Sequence, residues 1–441
     1  MTTSALLDLN DTNLQLWHED ALLQSPGYAL LDGRQYTFGS TARSAARLRP
    51  RDINTRYWWQ LNTEKLQPAL GHARHTADLV HAHLLDIHAQ GGKPDELILA
   101  VPGSMARDQL ALLLGIIGQC PFNATALVNR SVLLASAYAA DAPVSGNLAH
   151  LEIQLHQAVI SQLAHSDGHI VLQQTTPLPG CGLLQLQERL IELIAADFVR
   201  QTRFDPRRKA DSEQQLYDAL PKVLQSLTNN SETNVEVMGY RARINRTELR
   251  GACDLLFSSV TDTLGIAHPQ DQIIIDPIAG LLPGLLEHFP QATLIDNESL
   301  PSAFQRHRKF LLENKSGDED DTLPFVTSLP CEISSVPPPK TSASNKPAQP
   351  GSESTPAEPD APAATHLLVG AVGKVLLPSG TVVKRGLELF KQDDSWVLRG
   401  SVNARVNGAE YSPGRPLVSG DRISCVEDQD FSAQLITVSG P

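Results

Sequence analysis

The sequence contains no run of about 18 apolar residues, no C-x-x-C pair and no excess of positive charge, and each absence removes a class of protein. Without the long apolar run, no transmembrane helix is expected. The opening "MTTSALLDLNDT" lacks the basic start and apolar stretch of a secretory leader. Cys120, Cys181, Cys253, Cys331 and Cys425 are widely spaced and match neither a zinc pattern nor a disulfide framework, which is the usage of a reducing cytosol. Lys and Arg total 36 against 49 Asp and Glu, and a formal net charge of -13 argues against sequence-independent binding to nucleic acid or an anionic membrane. What is present is a chain of 441 residues, 41% hydrophobic, long enough for two or three domains and a sizeable core.

Composition shifts sharply near Lys315. From there to Ala364 the chain is rich in Pro, Ser, Ala and acids, the signature of a disordered, partly polyproline-like linker. Short β-rich runs such as "KVLLPSGTVV", "SWVLRG" and "ARVNGAEY", separated by Gly, Pro and Asp turns, predict a small all-β domain over 365–441. Before the linker, "ELILAVP" reads as a buried strand, followed by an amphipathic helix over "SMARDQLALLLGIIGQC" capped by Ser104. "LQLQERLIELIAADFVRQT" and "RTELRGACDLLFSSVTDTLGIA" predict two long helices, and "DQIIIDPIAGLLPGLLEHF" runs from strand through turn to helix. Hairpins mixed with strand-turn-helix units predict an α/β fold over 1–314 whose sheets carry antiparallel edges.

Within this region "LLDLNDTNLQLW" breaks an apolar run on Asp8, Asn10, Asp11, Thr12 and Asn13, the composition of a two-residue hairpin turn that contains no glycine. His72, His75, His81, His83 and His88 suggest metal binding by spacing, but they spread over several helix faces, and a solvated helix with partly packed histidines is the better reading. Trp58 and Trp59 read as core packing at a lobe interface rather than as a partner-binding patch. "RHRK", Arg306 to Lys309, reads as a basic cluster complementing the dipole at a helix end.

Taken in order, these segments resemble the nucleotide-binding domain of the DnaK-type heat-shock chaperones, within the actin-like ATPase superfamily, over most of residues 5–313. "SPGYALLDGRQYTFGSTARSAARLRPRDINTRYWWQL", "GLLQLQERLIELIAADFVRQ" and "RINRTELRGACDLLF" resemble successive stretches of the family, and "LILAVPGSMARDQLALLLGIIGQCPFNATALVNRSVLLASAYAAD" follows its strand, turn and two helices without a gap. The resemblance implies a two-lobed actin-like fold and identifies the first hairpin with a phosphate-binding turn, D-L-G-T-T-N in the family. Here it is "DLNDTN": Asp8 matches the acid that would organise hydrated magnesium, Asn10 replaces the glycine and Asp11 replaces a threonine, so a carboxylate would face phosphate. The second phosphate turn, D-L-G-G-G-T, aligns with "EIQLHQ", where Glu152 keeps an acid and Gln154, Leu155 and His156 stand in place of the glycines. The adenosine-side motif appears as "DPIAGLLP", with Asp276 and Pro277 in place of paired glycines and only Gly280 and Pro283 retained. Arg130 occupies the position of the family's "N-E-P" glutamate, and its catalytic lysine falls near Trp59 or Gln60.

These replacements predict no catalytic residues, no metal and no resident cofactor, ATP with magnesium not being favoured. They leave a vestigial cleft of Asp8, Asn10, Asp11, Thr12, Arg130, Glu152 and Gly280. Asp8, Asp11 and Glu152 are expected to line it as solvated polar residues, the alternative being residual metal or nucleotide binding. Arg130 is expected to point inward and pair with Asp8, Asp11 or Glu152, standing in for the missing metal charge and holding the lobes together. In the last domain, "DSWVLRGSVNARVNGAEYSPGRPLVSGDRISC" resembles the second half of a forkhead-associated domain. Asn407 with Gly408 fits its N-G turn and Gly420 with Asp421 its G-D-x-I turn, whereas Lys384 and Arg385 lie out of register for its phosphate-reading residues. The whole implies a bacterial, cytoplasmic pseudo-ATPase that acts as a non-catalytic scaffold or regulator for a protein partner, for instance a full-length DnaK-type chaperone. A weak ATP-binding ATPase and a signalling or secretion adaptor working through the C-terminal domain are the alternatives.

Overall fold

The computed structural model describes residues 5–19, 21–142, 147–265, 271–313 and 323–331, and in the C-terminal part 366–369, 372–376, 381–384, 387–392, 395–400, 404–407, 409–412, 414–419, 421–425 and 428–436. The chain divides into two units, Met1–Pro338 and Pro339–Pro441, and is mixed α/β.

Two six-stranded sheets in the larger unit repeat one plan. In the first, Ala5–Asp8, Leu14–His18 and Ala21–Ser25 form an antiparallel meander, and Glu96–Val101 and Asn123–Asn129 follow in parallel on the other side of Ala5–Asp8. In the second, Leu148–Ile153, Gln157–Ser166 and His169–Pro179 form the meander, and Gln272–Ile275 and Ala292–Leu294 the parallel side. Helix Thr76–Gln90 precedes the first parallel addition, and Arg107–Ile117 separates the two strands of that addition. Helices Arg130–Asp141 and Ser299–Glu313 share a core with one face of both sheets, including Leu6, Ile98, Val128, Leu148 and Ile274. The opposite face of the first sheet packs Leu7, Leu99 and Leu127 against Val80, Leu84 and Leu113. That of the second packs Leu151, Ile153 and Ile275 against Leu190, Ile194 and Leu220 from helices Leu183–Thr202 and Ala210–Asn229. Burial on both faces explains why "ALLD", "ELILAV" and "QIII" are near-continuous apolar runs.

Several local expectations are corrected. The first turn spans residues 9–13 rather than two. The helix expected from Ser104 begins at Arg107 with Ala106 at its N-cap, because Ser104 Oγ accepts a hydrogen bond from Gln154 Nε2 at 2.9 Å instead of capping. The helix predicted over "RTELRGACDLLFSSVTDTLGIA" is broken: Arg246–Leu249 is α, Arg250–Cys253 is 3-10 and Asp254–Leu264 is α again. Arg306 to Lys309 lie within helix Ser299–Glu313, not at its end. His75 is the N-cap residue of Thr76–Gln90, so His72 lies outside that helix; among the described residues no group of His, Cys, Asp and Glu could hold a metal.

The expected linker over 315–364 is also interrupted. Phe325–Val326 adds a parallel edge strand beside Asn123–Asn129, and Ser328–Pro330 adds an antiparallel one beside His169–Pro179, so one short segment extends both sheets. Leu329 and Cys331 are buried there. No helix among the described residues is long and apolar enough to cross a membrane.

The smaller unit is all-β. Its sheets run Val372–Val375, His366–Val369, Asp428–Ile436, Arg422–Cys425, Ala404–Val406, Ala409–Glu410 and Thr381–Lys384, Leu387–Gln392, Ser395–Gly400, antiparallel throughout. Leu389, Trp396, Val406, Ile423 and Leu435 from both sheets share one core. Asn407, at φ 53°, donates from Nδ2 to Asp421 Oδ1 at 2.6 Å and accepts from Arg422 N at 2.9 Å. Gly408, Gly420 and Arg385, and the Lys384 side chain, lie outside the described residues.

Candidate functional site

Strand alternation assembles the site. In Ala5–Asp8 the side chain of Leu6 faces the core shared by the two sheets, so Asp8 lies on the same face two residues on. By the same parity Leu148 leads to His150 and Glu152, Ile274 to Asp276, and Val128 to Arg130. Asp8, Arg130 and Asp276 stand where strands end or have just ended, and Glu152 is one residue short of its strand's end. In open α/β sheets that is where ligands bind.

Here the position is filled by the protein itself. Arg130 Nε donates to both oxygens of Asp8 at 2.8 and 3.0 Å, and Nη1 donates to both oxygens of Asp276 at 3.0 and 2.9 Å and to Glu152 Oε2 at 3.4 Å. All four residues are buried. Burial raises the Asp8 carboxyl to about 6 despite Arg130. At Asp276 burial also pushes upward, but Arg130 and His150 outweigh it and the net shift is downward. Burial opposes the charge on Arg130, yet Asp276, Asp8 and Glu152 together hold its pKa well above the ordinary value. Asn129 caps the helix that Arg130 begins, its Oδ1 accepting from Val132 N at 3.0 Å.

The two turns that the resemblance identifies with phosphate loops bond directly to each other. Asn10 Nδ2 donates to Ile153 O at 3.1 Å, and Asp11 Oδ1 accepts from Leu155 N at 2.8 Å. Asn10 Oδ1 accepts from Thr12 N at 3.0 Å and Thr12 Oγ1 at 2.8 Å, an Asx turn that forms without a glycine because no residue in 9–13 has positive φ. Leu183 N and Leu184 N, at the start of helix Leu183–Thr202, donate to Gln154 O and Leu155 O at 2.8 and 3.0 Å, so the second turn occupies those donors. Gly182 permits this approach: a Cβ there would lie 2.3 Å from His156 C and 2.4 Å from Gln157 N. Backbone atoms cannot swing aside, and Gly182→Ala is expected to cost more than about 2 kcal/mol in urea denaturation.

Of the expected cleft residues, the structure brings Asp8, Arg130 and Glu152 together and leaves Asp11 out, bonded to the opposite turn. Asp8 and Glu152, each 1% exposed, line no solvated cleft, contrary to expectation, whereas Asp11, 5% exposed, does border one. Gly280 closes the turn after Asp276 through its N–H to Asp276 O at 3.3 Å, and a Cβ there would meet Leu294. Asp276 and His150 were missed as members of the cluster. The signal was an acid directly after the apolar strand "QIII", at the parity of Ile274.

His150 adds a Ser-His-Asp arrangement, with Nδ1 2.8 Å from Ser131 Oγ and Nε2 3.3 Å from Asp276 Oδ1. Ser131 and His150 are wholly buried, and Asp276 is already held by Arg130, so no substrate reaches the hydroxyl. Beside the cluster a cleft of about 170 Å³ is lined by Asp11, Trp58, Trp59, Met105, Gln154 and Gln157 among others. It is smaller than the roughly 300–1,000 Å³ of small-molecule pockets. Trp58 is buried and Trp59 is 38% exposed, one face of its indole stacked on His156 with ring centroids 5.1 Å apart. No protein-family model and no curated protein matches this chain.

Proposed function

We propose that this chain is a pseudo-ATPase with an actin-like, DnaK-type ancestry, a non-catalytic scaffold or regulator whose two sheets are held together by a built-in cation. The observation that carries the reading is Arg130, whose guanidinium bonds Asp8, Glu152 and Asp276 across the gap between the sheets. The repeated strand plan supports an actin-like ancestry, since one arrangement of meander, helix and parallel strands occurs twice. Phosphoryl transfer needs cations aimed at the phosphates and acids aimed at metal and water. Here three acids are turned on an internal arginine, and the two turns bond to each other. A protein that neither opens nor hydrolyses works by presenting surfaces, and a full-length chaperone of the same type is the partner this reading favours.

Ligand stabilisation grows with the logarithm of occupancy. Millimolar ATP with magnesium is therefore expected to leave the melting temperature unchanged, and no hydrolysis above that of an Asp8→Ala, Glu152→Ala control is expected. A shift of several degrees would instead establish a weak ATP-binding protein.

The turn at Asn407 favours a second reading, an adaptor acting through the smaller unit. Its left-handed backbone and its bonds to Asp421 and Arg422 join the two positions at which the chain resembles a forkhead-associated domain. Calorimetry with a phosphothreonine peptide and its unphosphorylated twin separates the two.

A further inference from the structure

We infer that the cleft beside the first turn is a binding site for a compact organic cation of the guanidinium class, held by the Asp11 carboxylate and the Trp59 indole. Asp11 is 5% exposed, and among the described residues it makes no ion pair; its carboxylate is met by the Leu155 N–H, on Oδ1, and by its own backbone N–H. A buried carboxylate without a cation is costly. Burial, reinforced by Glu152, accordingly holds its carboxyl up at about 7, with the Leu155 N–H pulling the other way. The three carboxylates of the central cluster share Arg130; Asp11, outside it, borders the cleft instead.

The walls suit the same ligand. Leu9, Trp58, Trp59, Met105, Pro102 and Pro177 give the cleft apolar and aromatic surfaces among polar ones from Ser104, Gln109, Gln154 and Gln157, and none of the residues lining it carries a positive charge. His156 covers one face of the Trp59 indole and does not line the cleft, so the remaining indole surface borders the cavity. A guanidinium can stack on an indole while donating charge-assisted hydrogen bonds to a carboxylate, a combination closed to anions and made by neutral amides only without the charge that strengthens both contacts. Gln157 adds an amide oxygen that can accept from a further N–H group, Gln154 Oε1 being already engaged by Gln157 Nε2 at 2.8 Å and Ser104 Oγ at 3.2 Å. About 170 Å³ suits a guanidinium with a short alkyl stem and is small for a nucleotide.

The test is calorimetry on the full chain at pH 8 with n-butylguanidinium, n-butylurea and butyrate. Saturable binding of the guanidinium in the millimolar range is expected, with none for butyrate and at least about tenfold weaker binding of the urea. Asp11→Asn keeps an oxygen for the Leu155 N–H and removes the charge, and it should weaken the guanidinium at least about tenfold while remaining folded. Trp59→Ala should do the same through lost stacking. Equal binding of guanidinium and urea, or unchanged binding by Asp11→Asn, overturns the site. A capped Ala-Arg-Ala peptide then identifies the source. Tighter binding than butylguanidinium assigns the cation to an arginine of a protein partner, and weaker binding assigns it to a free metabolite, both sustaining the site.

Discussion

Arg130→Ala is expected to destabilise the larger unit by about 3–5 kcal/mol, because it strips the cation from three buried carboxylates at once. An exposed arginine such as Arg34, replaced in the same way, should change stability by less than about 0.5 kcal/mol. Added salt should leave the difference nearly intact, since buried pairs are weakly screened. Lysine should rescue little: Nε serves Asp8 while Nη1 serves Asp276 and Glu152, and one ammonium cannot span that fork. Neutralising the whole cluster, with Arg130→Met, Asp8→Asn, Glu152→Gln and Asp276→Asn together, should recover most of the loss, because apolar or neutral replacements of a complete buried network are often tolerated. Urea denaturation of the five proteins decides it. An Arg130→Ala chain as stable as Arg34→Ala would mean that the cluster does not hold the sheets.

Asp11→Asn is expected to act in the opposite direction and to depend on pH. The Asp11 carboxyl titrates near 3.8 when exposed and about 7 when folded, burial being the main cause. Between those values the unfolded chain releases its proton first, so the stability contributed by protonated Asp11 is complete below about 3.8 and lost as pH rises through about 7. Asparagine never ionises and still offers an oxygen to Leu155 N. The variant should therefore be more stable than the parent by on the order of 3 kcal/mol at pH 8, and nearly equal to it at pH 4. Asp8, raised to about 6, adds to the parent's loss of stability with rising pH, whereas Asp276, shifted downward, contributes stability that is lost only as pH falls. Melting curves of parent and variant from pH 4 to 8 give the comparison, and a constant difference would show that Asp11 carries no buried charge.

Much of this site was legible because strand alternation is a local rule. Asp8 follows an apolar run and Glu152 one interrupted only by His150, and their parity alone puts them on the face shared by the two sheets. Arg130 directly after the strand "NATALVN" follows the same logic. Asp276 was equally visible as a replacement for a glycine in "DPIAGLLP", but its pairing with Arg130 depends on the approach of residues 146 positions apart. The position of Asp11 could not be read locally, since it depends on how closely residues 9–13 approach Leu155, 144 positions away. The Ser104 cap failed for a similar reason: a short-range preference lost to a distant partner, Gln154. "FVTSLP" was hidden by its surroundings, and two- and three-residue edge strands have too little sequence of their own to show without the sheets they join.

During synthesis that same segment imposes a wait. Phe325–Val326 leaves the ribosome roughly 10–40 s after the strand it completes, at ordinary translation rates. Until then Asn123–Asn129 presents an open edge of unpaired backbone groups, the kind of template on which nascent chains join wrongly. Arg130 already has Asp8 within the emerged chain, but Asp276 arrives only later. The N-terminal half is thus a dependent piece rather than a domain that folds first and stands aside. Fragments ending before residue 331 would leave one or both sheets unfinished, and the larger unit is best produced with its C-terminal boundary beyond that point.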